Sequence, residues 1–428
     1  MNIIKLISVS SVVLGISFIM RFALTFTLAR SLNSDQFGVY SWAVNAFGII
    51  GIITNFGLDL FLIRKIPEYR NTFEGKVGSV IQHTKKQVNI NAFLLISIIL
   101  PISYFSTYFY EGASVYNSEL MIIILALPFA AYLTIFSTSL RAYDFPLHAQ
   151  FIESILQTGT LLLVVLLSFT IFDSLIPQSI RTLHLVSIFV FSWILSCIIA
   201  NIVFRNKIKL QAYLEPSKNA IKGWRKDQAT IVIGILGWSF LGRSDVFLLA
   251  FLVPPSEVGG YFICLRLAEL LMFFATVSYY VWGGKISNLI QEGNLEQAQN
   301  ALKKSSQLCF FPSFILTYLA WNFAEEILFF INESFVENVF LFKVSLLVFF
   351  LKGATGMVAP MYYILGQQAF LAKLQWLLGL FFTALVLLLV PIYGVVSCLF
   401  SLAFCEAVYV ITIVSRLKMK QNFSISPI

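Results

Sequence analysis

Long unbroken runs of apolar residues dominate the chain. Residues 160–172 and 377–390 show the pattern clearly, because neither run contains a charged residue. A helix needs about 20 such residues to cross the hydrocarbon core of a membrane, whereas a transmembrane strand is shorter and alternates apolar with polar positions. The pattern therefore predicts an all-α polytopic membrane protein and argues against a β-barrel.

Twelve transmembrane helices are predicted from these runs. They cover approximately residues 5–30, 37–64, 87–110, 118–141, 147–172, 182–204, 228–253, 257–283, 306–331, 339–365, 369–390 and 394–415. The first run is longer than the apolar core of a signal peptide, and it carries Arg21 and Arg30 where a cleavage site would be expected. We therefore expect it to remain as the first span.

A basic connector at residues 205–227 is predicted to divide the chain into two lobes. Residues 1–204 would form the N-terminal lobe with spans one to six, residues 228–415 the C-terminal lobe with spans seven to twelve, and residues 416–428 a tail. A short repeat supports this division, since Gly38 and Tyr40 are separated from Gly259 and Tyr261 by the same sequence distance. Because each half has an even number of spans, the lobes would be related by a pseudo-two-fold axis along the membrane normal.

The composition agrees with a membrane protein and excludes other classes. Hydrophobic residues make up 58% of the chain and charged residues only 12%, compared with about 25% charged in soluble domains. A soluble enzyme, a nucleic-acid-binding protein and a disordered protein are therefore excluded. Most of the 29 basic residues behind the net charge of +8 lie in alternate connectors and the tail, which predicts that both termini are cytoplasmic and that these connectors contact membrane lipids.

No catalytic or metal-binding motif is present in the sequence. It has no Walker A loop, no GxSxG and no HExxH pattern. The five cysteines lie in apolar stretches without a CxxC pair, and the three histidines are scattered. We therefore predict no catalytic residue, no metal site and no cofactor.

Four basic residues are predicted to lie inside the membrane: Arg21, Arg243, Arg266 and Lys352, on spans one, seven, eight and ten. A charge at this depth costs several kcal/mol unless it has a partner or a water-filled cavity. Similar depths on four helices predict one cationic cavity, and arginine offers bidentate contacts to phosphate. The competing interpretation is local neutralisation, for which Arg266 and Glu269 have suitable i, i+3 spacing.

Three acidic residues are also predicted to lie within spans: Asp245, Glu269 and Glu406. A buried carboxylate could carry a proton or bind Na⁺, or it could form a structural ion pair. The structural interpretation is favoured for Glu269 because Arg266 lies one turn away. For Glu406, no basic residue is close in sequence, so ion coupling and cavity lining both stay open.

Several segments resemble those of the Wzx-type flippases, which transport O-antigen and capsule repeat units and belong to the MATE-like MOP superfamily. The matching segments are Arg21, Leu28-Ala29-Arg30-Ser31-Leu32, Phe37-Gly38-Val39-Tyr40, Gly57-Leu58, Ile63-Arg64, Leu140-Arg141-Ala142, Val258-Gly259-Gly260-Tyr261 and Leu265-Arg266-Leu267. The resemblance implies alternating access by two six-helix lobes, with undecaprenyl-pyrophosphate-linked oligosaccharide carried across the bacterial cytoplasmic (inner) membrane. It also implies a cationic substrate-binding cavity, to which Arg21, Arg243, Arg266 and Lys352 would contribute. Coupling to an H⁺ or Na⁺ gradient and contact with a polysaccharide polymerase machinery are further expectations.

Three other functions compete with this interpretation. A multidrug or cation antiporter of the same superfamily would favour acidic and aromatic cavity residues, and the four deep basic residues argue against it. A membrane O-antigen polymerase would carry a large outer loop, whereas the predicted outer connections are short, such as residues 173–181. A non-transporting scaffold would have no need for charges inside the bilayer.

Overall fold

The computed structural model is helical throughout the part of the chain that it describes. The described residues are 3–72, 75–109, 114–171, 176–208, 224, 228, 232, 235–237, 239 and 242–421. The first half contains α1 (Ile3–Ser31), α2 (Ser34–Asn55), α3 (Leu58–Thr72), α4 (Gly75–Phe109), α5 (Ser114–Ile123), α6 (Leu127–Ala142), α7 (Pro146–Gln150), α8 (Gln157–Ile171) and α9 (Arg181–Lys207). The second half contains α10 (described residues 242–249), α11 (Pro255–Ala268), α12 (Met272–Gln291), α13 (Leu295–Asn322), α14 (Ala324–Ile331), α15 (Val339–Ala354), α16 (Val358–Ile364), α17 (Gln368–Tyr393) and α18 (Val395–Gln421).

The predicted class of an all-α polytopic membrane protein is confirmed. Within the described ranges, ten helical segments are long and apolar enough to cross a membrane by length and composition. The bent pair α13 and α14, whose axes differ by 74°, makes eleven if it counts as one span. Part of the predicted seventh span, between residues 229 and 241, and most of the connector at 205–227 lie outside the described residues, so the division into lobes of six spans stays a prediction. The same holds for most of the tail at 416–428, which is described only to residue 421.

The described chain packs as two compact units. Unit 1 comprises residues 1–38 and 240–428, and unit 2 comprises residues 39–239. The first helix, α1, thus belongs to the same unit as the helices of the second half. In unit 1 it packs against α11, α12 and α14.

Unit 2 has an apolar core between α3, α4, α6 and α9. Phe61 and Leu62 from α3 are completely buried there. Trp224 completes the core, because its ring lies 6.0 Å from that of Phe61 and its indole Nε1 donates to the hydroxyl of Tyr69 at 3.2 Å. One described residue of the basic connector is therefore anchored on this unit.

Unit 1 contains irregular helix ends that lie side by side. A 3₁₀ turn, Glu269–Leu271, separates α11 from α12, and residues 355–357 separate α15 from α16. Gly353 packs against the first of these turns, since a Cβ at Gly353 would lie 3.2 Å from the carbonyl oxygen of Leu271. The second break uses Gly356 at φ +46°, a conformation that side chains disfavour. Both breaks lie beside charged residues, which places those side chains at the same level of the unit.

The two glycines of the sequence repeat contact each other in unit 1. A Cβ at Gly259 would lie 2.6 Å from the carbonyl oxygen of Ser34, and a Cβ at Gly38 would overlap the carbonyl of Pro255. Real Cβ atoms do not approach backbone atoms so closely. The start of α2 can therefore pack on α11 only because both positions lack a side chain.

We expect Gly38→Ala to lower the thermal unfolding temperature of the purified protein in detergent. The added methyl group must displace backbone atoms, and overpacking of this kind costs about 1–3 kcal/mol. Gly51→Ala is the matched control on α2, because a Cβ there meets nothing within 4 Å. Equal melting temperatures for the two variants would contradict the close-contact explanation.

Candidate functional site

All seven charged residues predicted to lie within spans belong to unit 1. Arg21 is on α1, Arg243 and Asp245 on α10, Arg266 on α11, Glu269 in the 3₁₀ turn, Lys352 on α15 and Glu406 on α18. We call this set the charged cluster. Its members come from distant parts of the sequence and are brought together because α1 packs on α11 and α12, while α15 packs on α11 and α18.

Three arginines and one glutamate form one side of the charged cluster. Arg266 donates to Glu269 at 2.6 Å, and its guanidinium also lies over the ring of Phe262 at 4.6 Å. The charges of Arg21 and Arg243 both interact with this pair and with each other. The side chains of Arg21 and Arg243 are exposed. A single carboxylate therefore lies within electrostatic range of three guanidinium groups.

A second ion pair joins α15 to α18. Lys352 Nζ lies 2.8 Å from Glu406 Oε1, and the two side chains are only 20% and 7% exposed. The sequence did not predict this pair, because the two residues lie 54 positions apart. The ammonium group of Lys352 also lies 5.3 Å from the ring centre of Phe349.

Asp245 lies at the end of a buried chain of hydrogen bonds. Its Oδ2 accepts from the hydroxyl of Tyr261 at 2.8 Å, and its Oδ1 accepts from the backbone N–H of Val246 at 2.8 Å. The thiol of Cys398 in turn lies 3.6 Å from the Tyr261 oxygen. Asp245 is 5% exposed, whereas Tyr261 and Cys398 are fully buried. The sequence did not reveal Tyr261 and Cys398 as partners, although Tyr261 belongs to the repeated motif.

The cluster is a mixed site of four basic and three acidic residues. Glu269 and Glu406 each pair with a basic side chain, and Asp245 accepts hydrogen bonds from the Tyr261 hydroxyl and the backbone N–H of Val246. Arg21, Arg243 and Arg266 are the exposed basic residues of the cluster, and Arg266 is paired with Glu269. Guanidinium groups bind phosphate and carboxylate oxygens through paired, charge-assisted hydrogen bonds, so the arrangement suits an anionic ligand.

Removing the hydroxyl of Tyr261 should destabilise unit 1. Tyr261→Phe leaves the buried carboxyl group of Asp245 with one partner fewer, and a buried polar group left unsatisfied costs about 1–3 kcal/mol. We expect a lower melting temperature in detergent. Tyr318→Phe on α13 is the control, because that side chain is 63% exposed. An unchanged melting temperature for Tyr261→Phe would show that the bond contributes little.

Comparison with known proteins gives a family match and a fold match. A family model described as "Polysaccharide biosynthesis protein" matches residues 3–282. No curated protein sequence matches the chain at a significant level.

Solved structures with similar folds are transporters of the MOP superfamily. An inward-facing multidrug resistance MATE family transporter matches with a TM-score of 0.71 at 13% identity, covering 94% of this chain and 96% of its own. The lipid II flippase MurJ in an inward closed conformation matches with a TM-score of 0.74 at 14% identity, covering 96% and 87%. A MOP superfamily transporter from Pyrococcus furiosus, described as having a binding pocket of reverse polarity, matches at 0.65 with 12% identity, covering 97% and 95%. The MOP-transporter fold implied by the sequence resemblance is therefore confirmed.

Proposed function

The chain belongs to the polysaccharide biosynthesis protein family, and on this premise we propose that it is a flippase for undecaprenyl-pyrophosphate-linked oligosaccharides. Its family and fold are those of transporters and flippases and not of enzymes. The observation that carries the proposal is the charged cluster, in which Arg21 and Arg243 are exposed beside the Arg266–Glu269 pair. A pyrophosphate linker supplies the negative charge that these guanidinium groups would bind.

In this proposal the protein is a multi-pass protein of the bacterial inner membrane with both termini in the cytoplasm. The pyrophosphate and its oligosaccharide bind the charged cluster, while the prenyl chain stays among lipids. The cluster then opens to one side of the membrane and afterwards to the other, which moves the headgroup across. The transported unit is used to synthesise O-antigen or capsule. A polysaccharide polymerase would use the product on the outer side.

The state of the carboxylates disfavours a multidrug or cation antiporter. An organic cation needs an acidic side chain that is available to bind it. Glu269 and Glu406 already hold Arg266 and Lys352, and Asp245 is buried beneath Tyr261. The same carboxylates are the groups through which a proton or Na⁺ gradient would drive transport.

Deletion of the gene should cause undecaprenyl-pyrophosphate oligosaccharide to accumulate on the cytoplasmic leaflet and should remove the surface polysaccharide. The measurement is lipid extraction combined with a leaflet-specific label that cannot cross the membrane. Accumulation on the outer leaflet would instead place the block after transport and favour a polymerase. Normal lipids combined with sensitivity to cationic drugs would contradict the proposal and favour the antiporter.

Loss of Arg21 or Arg243 should abolish transport without lowering the amount of protein in the membrane. We expect Arg21→Gln and Arg243→Gln, expressed in the deletion strain, to restore less than about a tenth of the surface polysaccharide. The reason is that each variant loses a charge-assisted contact of about 1.5–3 kcal/mol, which lowers binding by roughly tenfold or more. Arg30→Gln is the control on the same helix as Arg21, because Arg30 lies over Phe26 outside the charged cluster. Full restoration of the surface polysaccharide by both Arg21→Gln and Arg243→Gln would contradict the proposal.

A further inference from the structure

A half-buried lysine of unit 2 lies between aromatic rings of two neighbouring helices. The ammonium group of Lys85, on α4, lies 5.0 Å from the ring centre of Phe136 on α6 and 5.6 Å from that of Phe204 on α9. The two rings lie 5.2 Å apart, and both are buried. Lys85 therefore reaches from α4 across α6 to α9. Aromatic faces attract a cation but carry no negative charge that could neutralise it.

A second cation lies close to Lys85. Arg205 directly follows Phe204 on α9, and its charge interacts with that of Lys85. Arg205 is exposed, whereas Lys85 is only partly so. Like charges repel each other, and the repulsion grows where burial excludes water. We call Lys85, Phe136, Phe204 and Arg205 the basic site of unit 2.

No acidic residue occurs on the three helices that form the basic site. The sequences of α4, α6 and α9 contain neither Asp nor Glu. The carboxylates of neighbouring described segments interact with other basic residues: Glu68 with Lys65, Asp144 with Arg70, and both Glu153 and Asp59 with Arg141. Within the described part of the chain, Lys85 and Arg205 therefore have no ion-pair partner, and both are available to an external anion.

The basic site lies at a level of unit 2 where lipid headgroups are expected. It is near one end of two candidate spans, Val77–Ser106 and Gln178–Lys207. Trp224 of the basic connector lies at the same end, with its ring 5.2 Å from that of His83, two residues before Lys85. Basic connectors lie on the side that the sequence predicts to be cytoplasmic, where anionic lipids attract positive charge.

Apolar side chains continue from the basic site along α9. Ile202 and Ile198 precede Arg205 by three and seven residues, so all three lie on one face of the helix. Both isoleucines are 53% exposed. A cationic end followed by an exposed apolar face matches a phosphate group followed by acyl chains. A free phosphate would use the cationic end alone.

We propose that Lys85 and Arg205 bind the phosphate group of an anionic phospholipid whose acyl chains lie against α9. Ammonium and guanidinium groups donate charge-assisted hydrogen bonds to phosphate oxygens, and basic pockets between transmembrane helices bind lipid headgroups. The bound lipid joins α4 to α9 and removes the repulsion between the two cations, which stabilises unit 2. The basic site lies wholly in unit 2 and shares no residue with the charged cluster, so this inference does not depend on the proposed function.

The test is native mass spectrometry of the purified full-length protein with equal amounts of phosphatidylglycerol and phosphatidylcholine. We expect one phosphatidylglycerol molecule to be retained in preference to phosphatidylcholine, which has no net charge. Lys85→Gln and Arg205→Gln should each weaken phosphatidylglycerol binding about tenfold, since each loses a charge-assisted contact. Lys86→Gln is the matched control, because Lys86 is exposed on the same helix and points about 100° away from Lys85.

Two further measurements keep the test decisive if Lys85→Gln does not fold. Arg205 is exposed, so its variants should fold, and melting temperatures in detergent will show whether they do. Arg205→Lys keeps the positive charge and should keep most of the binding. Phosphatidylglycerol should also raise the melting temperature of the wild type and of Lys86→Gln, but not that of Arg205→Gln.

Equal retention of the two phospholipids, or equal weakening in Lys86→Gln and the two site variants, would overturn the proposal. Competition identifies the source of the phosphate group. Displacement of phosphatidylglycerol by an equal concentration of inorganic phosphate would assign the site to a free anion. Displacement by an equal concentration of undecaprenyl pyrophosphate would assign it to a polyprenyl lipid. Either displacement would contradict a phospholipid site, whereas selective weakening in the site variants without displacement would support it.

Discussion

The cost of placing charge among apolar helices is the constraint on which the rest of this structure depends. An uncompensated charge in such surroundings is unfavourable by several kcal/mol, yet the charged cluster of unit 1 places seven charged residues on six segments. The structure meets this cost by pairing. Arg266 pairs with Glu269 and Lys352 with Glu406, and Asp245 accepts hydrogen bonds from Tyr261 and from the backbone N–H of Val246. Arg21, Arg243 and Arg266 are exposed, and guanidinium groups of this kind suit an anionic ligand.

The irregular backbone of unit 1 follows from the same constraint. Charged side chains are concentrated where α11 changes to α12 through a 3₁₀ turn and where α15 ends before α16. Helix breaks inside a membrane protein are tolerated where they are buried in protein or line a cavity. The close contact of Gly353 with the carbonyl of Leu271 keeps the two breaks together. The site therefore combines charged groups with breaks in the helical backbone.

The helical class and the identity of the charged residues could be predicted from the sequence, because both depend on local composition. Continuous apolar runs require helices in lipid, and a charge within such a run is recognisable wherever its partner lies. The spacing of Arg266 and Glu269 also predicted their ion pair correctly. The partners of Lys352 and Asp245 could not be predicted, since Glu406, Tyr261 and Cys398 are separated from them in sequence and meet only through helix packing. For the same reason the predicted cationic cavity is a mixed cluster in which acidic residues already hold two of the four basic ones.

Native mass spectrometry of the purified protein would test the central claim most directly. The protein would be offered equal amounts of undecaprenyl pyrophosphate, the uncharged alcohol undecaprenol and the organic cation tetraphenylphosphonium. The account predicts that the pyrophosphate lipid is retained in preference to both, since the prenyl chain is shared with undecaprenol and only the charged group differs. Equal retention of undecaprenol would mean that the charged cluster does not select the headgroup, and preferential retention of the cation would contradict the account.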